Sequence, residues 1–301
     1  GLKQANEVFG YTRLMVATFG LGGGMAALEK TIAYSKERVQ FGTTLAEKQG
    51  YTHRLLVPNA VQLEAARAYI EKTARRLDSG EEDLQVEGSI AKFFATEAGD
   101  AMANDAIQGF GGYGYIREYE VEKIKRDIKI TTIFEGTSEI QRNIISLFRM
   151  RETVRSKGRY YLDMAENLDK LPDGTGAHLA ALAIRILNEV IRDIRKTKLN
   201  RSQHVMFLLA DMITWCEVCD SLCQKAAVYE GKNPGIGFMK ASARLFSIEA
   251  AQKVYINCLK IAHGCNHSME EVTEKLKTLD LGQAMSDHLK DMDFIAGELV
   301  N

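Results

Sequence analysis

Proline is scarce in this chain: 3 in 301 residues, at Pro58, Pro172 and Pro234, with a single tryptophan, Trp215. An interior proline removes a helix N–H and clashes with the preceding turn. The long proline-free intervals, rich in Ala, Leu, Glu, Lys and Arg, therefore favour long helices and an all-α fold. An excess of one charge is missing too. The 39 Lys and Arg balance 40 Asp and Glu to a net of −1, which gives no reason to expect nucleic acid or a broad anionic membrane surface as a partner. Apolar runs fall well short of the ~20 residues that span a bilayer. No signal peptide is legible at the start. The expected location is the cytoplasm, or the mitochondrial matrix if the protein is eukaryotic. Gly1 stands where an initiator Met would be, so the chain reads as a fragment or a processed product. Cysteine is absent from the first two thirds.

The five cysteines are Cys216, Cys219, Cys223, Cys258 and Cys265. The first three stand at i, i+3 and i+7, one helix face, and read as reduced core thiols. His263-Gly-Cys265-Asn-His267 lacks the paired spacing of a metal site, so no metal is assigned; Gly264 reads as a helix end.

Hydrophobic periodicity divides the chain into helices. The first covers residues 3–37. Gly20, Gly22, Gly23 and Gly24 interrupt it with no strand before them, and GLGGGM does not complete a GxGxxG loop. Close helix–helix crossing explains these glycines better. Residues 38–45 form a turn. A helix follows over 46–78, with a kink expected at Pro58, then another over 84–108. Gln108-Gly-Phe-Gly-Gly-Tyr-Gly-Tyr115 opens the backbone for close approach of a ligand. A short helix spans 118–127. Residues 1–150 therefore read as an antiparallel up-down bundle. Residues 151–301 read as a second helical bundle, with helices at 152–168, 176–198, 201–230, 237–263, 268–278 and 281–299. There His178, Leu179, Leu182, Ile184, Ile186, Leu187, Val190 and Ile194 make an amphipathic stripe. Asp211, Glu217, Asp220 and Glu249 read as helix-surface charges.

Chemistry concentrates at Thr131-Thr-Ile-Phe-Glu-Gly-Thr-Ser-Glu-Ile-Gln-Arg-Asn143. Glu135 sits on a glycine-flexed loop, beside the N–H groups of a helix start where Thr137, Ser138 and Glu139 can cap. Such a carboxylate is a plausible general base beside an anionic or electron-rich ligand, or an ordinary solvated acid. Arg13 is a lone cation among apolar residues, either a surface arginine or an anchor for a polar ligand.

Phe9-Gly-Tyr-Thr-Arg13, Tyr34-Ser-Lys-Glu-Arg-Val-Gln-Phe-Gly42, Gln49, Gln108-Gly-Phe-Gly-Gly-Tyr-Gly114, Arg126-Asp127 and Ile133-Phe-Glu-Gly-Thr-Ser-Glu-Ile-Gln141 occur in one order and register. In these motifs residues 3–150 resemble the C-terminal helical domain of acyl-CoA dehydrogenases. The resemblance implies an FAD-dependent oxidation of acyl-CoA to trans-2-enoyl-CoA, with electron-transfer flavoprotein as acceptor and a homodimer or tetramer as the assembly. It assigns Glu135 as the base, with Gly136 and Arg13 on the substrate side. Thr137 and Glu139 would contact FAD within the subunit. Arg38, Gln40, Phe41, Gln49, Gln108, Gly109, Phe110, Gly111 and Gly112 would reach FAD from a neighbouring subunit. Family members with the base on the first helix place it beside the arginine; Gly10, Tyr11 and Thr12 stand there instead, which favours Glu135. The aspartate often found three residues before that arginine is replaced by Gly10.

The resemblance also implies an N-terminal helical domain and a β-domain ahead of Gly1, so residues 1–301 alone are expected to be inactive. Residues 151–301 match in extent and helicity the extra domain of very-long-chain-type and some bacterial members, where membrane association is one possibility. An acyl-CoA oxidase and a non-catalytic helical scaffold are the competing readings.

Overall fold

The computed structural model describes residues 2–265 and 270–301, and shows an all-α protein with a single two-stranded hairpin among those residues. In order, the elements are α1 (Leu2–Glu37), the hairpin β1 (Val39–Gln40) and β2 (Thr43–Thr44), α2 (Gln49–Tyr51), α3 (Val57–Asp78), α4 (Gln85–Phe110), α5 (Val121–Lys129), α6 (Ser138–Arg155), α7 (Arg159–Leu168), α8 (Ala177–Lys196), α9 (Gln203–Val228), α10 (Ile236–Gly264), α11 (Glu270–Leu276), α12 (Leu281–Ala284) and α13 (His288–Val300). They group into two compact units: residues 1–141 with 290–301, and residues 142–289.

The first unit is an up-down bundle of α1, α3, α4 and α5, with α13 added. Its core gathers Ala27, Leu28, Leu56, Leu63, Met102, Ala106 and Phe110, against which Leu299 and Val300 of α13 pack. Gly20, Gly23 and Gly24 of α1 act as expected, through close approach, and Gly22 does not. A Cβ on Gly99 of α4 would stand 2.2 Å from the Gly20 carbonyl oxygen, and one on Gly24 would meet Leu63 at 2.7 Å. Gly99→Ala is expected to cost about 1–3 kcal/mol through overpacking, read as a lower unfolding midpoint. Gly22 faces open space, so Gly22→Ala should be neutral or stabilising by up to ~1 kcal/mol.

The expected helix over 46–78 is interrupted ahead of its proline. Thr52–Leu56 form a wide π-type turn in which the Val57 N–H reaches the Thr52 carbonyl, and Pro58 follows directly in α3; the turn widens where proline's ring and missing N–H disturb the α-helical ladder.

The second unit is built on α8, α9 and α10. On α8 the buried face runs through Ala177, Ala180, Ala181, Ile184, Leu187, Ile191 and Ile194. His178, placed in the expected stripe, is instead exposed beside Asp169. Small alanines define the face and let the neighbouring helices close on it. Trp215 stacks on Phe246 with 5.0 Å between ring centroids. Cys216, Cys219, Cys223 and Cys258 are buried free thiols, and burial raises the thiol pKa of Cys216 and pushes that of Cys258 up to about 12. Gly264 ends α10 as expected; His267 and the start of the helix expected at 268–278 lie outside the described residues.

Three further readings of this half are corrected. Glu217 and Asp220 are 3% and 1% exposed, not surface charges. Arg149 holds Glu217 in a two-pronged pair at 2.7 and 3.0 Å, and the Tyr161 hydroxyl donates to the same carboxylate at 3.0 Å. The single helix expected over 281–299 is two, with Asp280 capping α12 through the Gln283 N–H at 2.9 Å. The helix expected to start at 152 begins at Arg159. Lys157 and Gly158 adopt φ of 53° and 87° and break the chain after α6.

Candidate functional site

Two sites emerge in the first unit. The first surrounds Glu135. After α5 the chain makes a 3-10 turn over Ile130–Thr132 and then reverses through Glu135 and Gly136, at φ 57° and 91°. The left-handed region costs a non-glycine residue roughly 1–2 kcal/mol, so Glu135 is held there by its surroundings. The Gln141 side-chain amide donates to the Glu135 carbonyl at 3.0 Å and to the Gly136 carbonyl at 2.8 Å. Lys92 of α4 donates to the same Gly136 carbonyl at 2.8 Å. Gly136 cannot be replaced cheaply: besides its φ, a Cβ there would lie 2.7 Å from the Gln141 amide nitrogen.

The turn presents the Glu135 side chain to α1, where the Thr12 hydroxyl donates to its carboxylate. Next along α1, Arg13 is buried and donates to the Ser89 hydroxyl at 3.2 Å. Burial lowers the Arg13 pKa, and the Glu135 charge opposes that shift. Lys92 is wholly buried, and burial brings its pKa down to about 8 against the pull of Glu97, Glu135 and Glu139, with Arg13 adding to the fall. At the start of α6, Ser138 donates to Glu97. Thr137 is half-buried, with its hydroxyl oxygen 3.4 Å from the Ile140 N–H, and Glu139 is exposed. Thr12, Met15 and Phe19 share one face of α1 by their spacing, and Met15 and Phe19 are exposed there. The result is a half-buried carboxylate on a braced turn, beside an exposed apolar face.

The second site is an open cleft of about 450 Å³, lined by Tyr34, Arg38, Gln40, Leu45, Tyr51, the backbone from Gln108 to Gly112, and Tyr113. Its walls are aromatic. Tyr34 stacks on Phe110 at 4.2 Å and Tyr113 on Tyr119 at 4.8 Å. The Tyr34 and Tyr51 hydroxyls donate to the Phe110 and Gly109 carbonyls at 3.4 and 3.2 Å. Burial raises both tyrosine pKa values, so these hydroxyls stay protonated donors. The Arg38 guanidinium lies 5.6 Å from the centre of the Tyr113 ring. Gly111 and Gly112 have open space where side chains would be, so a ligand can reach their backbone. An exposed arginine facing open backbone is an arrangement that can hold a phosphate-bearing ligand.

Seven residues singled out in the sequence thus line one cleft: Arg38, Gln40, Gln108, Gly109, Phe110, Gly111 and Gly112. Phe41 does not line it. It sits at the hairpin tip, 91% exposed with φ 52°. Gln49 is also outside, donating to Asp293 of α13 at 2.8 Å. Reading the sequence missed Thr12, Lys92 and Gln141 at the first site, and Tyr34, Tyr51 and Tyr113 at the second. Lys92 did carry a signal: it is one cation in the otherwise uncharged run Gly88-Ser-Ile-Ala-Lys-Phe-Phe-Ala-Thr96.

Residues 1–148 match the family model described as acyl-CoA dehydrogenase, C-terminal domain. An acyl-CoA dehydrogenase of Bacillus subtilis is 43% identical over 145 residues, which cover 47% of this chain and 37% of that protein. The caffeyl-CoA reductase–Etf complex subunit CarC of Acetobacterium woodii is 38% identical over 146 residues, covering 48% of this chain and 38% of that one. The match thus spans well under half the length of these relatives. A solved acyl-CoA dehydrogenase complexed with FAD from Bacillus anthracis aligns with 98% of this chain and 56% of its own, at a TM-score of 0.81 and 21% identity. That likeness is one of fold.

Proposed function

From the premise that residues 1–148 are an acyl-CoA dehydrogenase C-terminal domain, we propose that the protein carrying this chain oxidises acyl-CoA thioesters to trans-2-enoyl-CoA, with Glu135 as the base. The observation that carries this reading is the Glu135 carboxylate, presented on a braced left-handed turn and bonded by Thr12. The acyl α-proton passes to this carboxylate. FAD, if held by the residues named below, would supply the two-electron acceptor for the hydride that leaves the β-carbon. A carboxylate works here only while water is kept from it; Met15 and Phe19 on the same face of α1 offer apolar cover for an acyl chain. Arg13, buried next to Thr12, supplies positive charge on the substrate side, and Gly136 lets a thioester lie against backbone.

The open cleft fits part of FAD. Arg38 and the bare backbone of Gly111 and Gly112 suit its diphosphate, and Tyr34, Tyr51 and Tyr113 give flat apolar walls. Thr137 and Glu139 take the flavin side near the base. A second copy of the chain brings its own cleft to complete the cofactor site, so the active form is a homo-oligomer. Phe41, fully presented at its hairpin tip, and Gln49 then meet the cofactor across that contact. Electron-transfer flavoprotein is the acceptor, a reading supported by the relative that is named a subunit of an Etf complex. The stretch 1–301 by itself does not turn over, because the relatives devote most of their length to parts it does not match.

The test is titration of the flavin-loaded protein with acyl-CoAs of graded length, following loss of flavin absorbance. Absence of any bleaching would sink the dehydrogenase reading. Arg38→Ala should weaken FAD binding by about 10- to 100-fold, the loss of a charge-assisted bond, measured by equilibrium dialysis. Unchanged affinity would remove Arg38 from the site.

A further inference from the structure

Lys92 is a wholly buried lysine whose ammonium reaches out of α4 to a single carbonyl, that of Gly136. An ordinary buried lysine is costly unless its charge is compensated, so its retention beside the Glu135 turn calls for a reason. The turn itself supplies one. Two successive carbonyls, those of Glu135 and Gly136, point into a site where Gln141 is fully buried. Buried carbonyls require donors. The Gln141 amide nitrogen serves both, and the second donor to Gly136 is Lys92. The carboxylates facing the ammonium are Glu97 from its own helix and Glu135 and Glu139 from the loop and α6; Arg13 of α1 is the opposing cation. Lys92 is therefore at once the hydrogen-bond brace of the turn and the counter-charge of the acids around it.

We propose that Lys92 is a positioning residue for the reaction, clamping the Gly136 carbonyl so that the strained Glu135 turn keeps its carboxylate against Thr12. The inference rests on the reading of Glu135 as the base, but it concerns the turn and can be measured without turnover. A neutral amine donates less strongly than an ammonium, so the clamp weakens as Lys92 loses its proton near pH 8. Global stability moves the other way. The folded-state pKa of about 8 lies below the ordinary lysine value of 10.5, so between those limits the unfolded chain binds more protons and folding gains stability as pH rises. A local loosening opposed to a global tightening separates the clamp on the turn from the general stability effect of a buried lysine.

The experiment is backbone hydrogen exchange of the full chain at pH 7 and pH 9, corrected for intrinsic rates, on peptides covering residues 133–141. In the native sequence, protection there should fall on the order of tenfold between the two pH values while the α3 peptides stay unchanged or strengthen. Lys92→Met should be already loosened at pH 7 and show no further step, and Lys92→Gln should fall between the two. A Lys92→Met chain with native protection over 133–141 at pH 7 overturns the clamp. Should Lys92→Met fail to fold, Lys92→Gln at pH 7 decides: native protection there overturns the clamp and loosened protection supports it. The reading beneath is decided separately: a Glu135→Gln protein that still bleaches flavin, with the clamp step intact, overturns the base and leaves Lys92 bracing a turn that takes no proton.

Discussion

Glu135→Gln is expected to lower the rate of flavin reduction by acyl-CoA by about 10²- to 10⁴-fold, the range a positioned general base contributes, while FAD stays bound. The substitution is nearly isosteric. The Gln carbonyl oxygen can still accept the Thr12 hydroxyl, and the turn's backbone is fixed by Gln141 and Lys92, neither of which touches the Glu135 side chain in those bonds. What is lost is an oxygen able to take a proton. Single-turnover absorbance of the flavin-loaded protein, with an acyl-CoA it accepts, reads the effect directly. A near-normal rate would remove Glu135 from the chemistry. A slow rate with unchanged FAD affinity separates its role from that of Arg38, whose loss should appear in cofactor binding.

Glu217→Ala should strongly destabilise the second unit. Arg149 and Glu217 are 6% and 3% exposed. Removing one partner of a buried pair leaves a charge where water cannot reach it, at a typical cost of 3–5 kcal/mol. The Tyr161 hydroxyl also loses its acceptor, in surroundings where burial and the nearby Glu217 charge hold its pKa well above the ordinary tyrosine value. At roughly 2–4 °C per kcal/mol for a unit of this size, thermal unfolding of residues 142–289 should move down by about 10 °C, seen by calorimetry. Arg149→Met together with Glu217→Met is the informative control. Replacing both charges by apolar groups of similar volume is often close to neutral, so the pair should recover most of the loss. If Glu217→Ala unfolds no earlier than the native chain, the bidentate pair is not what holds α6 to this unit.

How much of this was legible depended on the kind of signal. The all-α fold followed from proline scarcity and helical periodicity, and the glycines of α1 from having no strand before them. Seven residues of the cleft were legible because Arg38, Gln40 and Gln108–Gly112 fall in contiguous motifs, whereas its tyrosines read as apolar or turn residues. Lys92 stood out as one cation in an uncharged run, but its role did not, because that role is set by a carbonyl 44 residues away. Glu217 misled for a related reason. A charged residue on an amphipathic helix reads as solvated unless its partner is known, and that partner lies on a different helix, 68 residues earlier. Gly158 did carry a stop signal, but the apolar spacing on both sides masked it. The return of residues 290–301 to the first unit has no local sequence cue at all, since any amphipathic helix can dock on any compatible face.

That returning segment behaves differently from the rest of the bundle. Gln49 and Asp293 close a loop of 244 residues, and His53 meets the same aspartate at 3.0 Å. Closing so long a loop is entropically dearer than forming any neighbouring turn, though the cost grows only with the logarithm of its length. Only Asp291, Ile295 and Ala296 of α13 are buried among its described side chains. Few buried contacts set against a long closure make this helix a separate cooperative segment, at the low end of the opening free energies that a native protein spans. It should be the last piece of the first unit to attach during folding and the first to detach, a latch whose opening exposes Leu299 and Val300 long before the bundle beneath it unfolds.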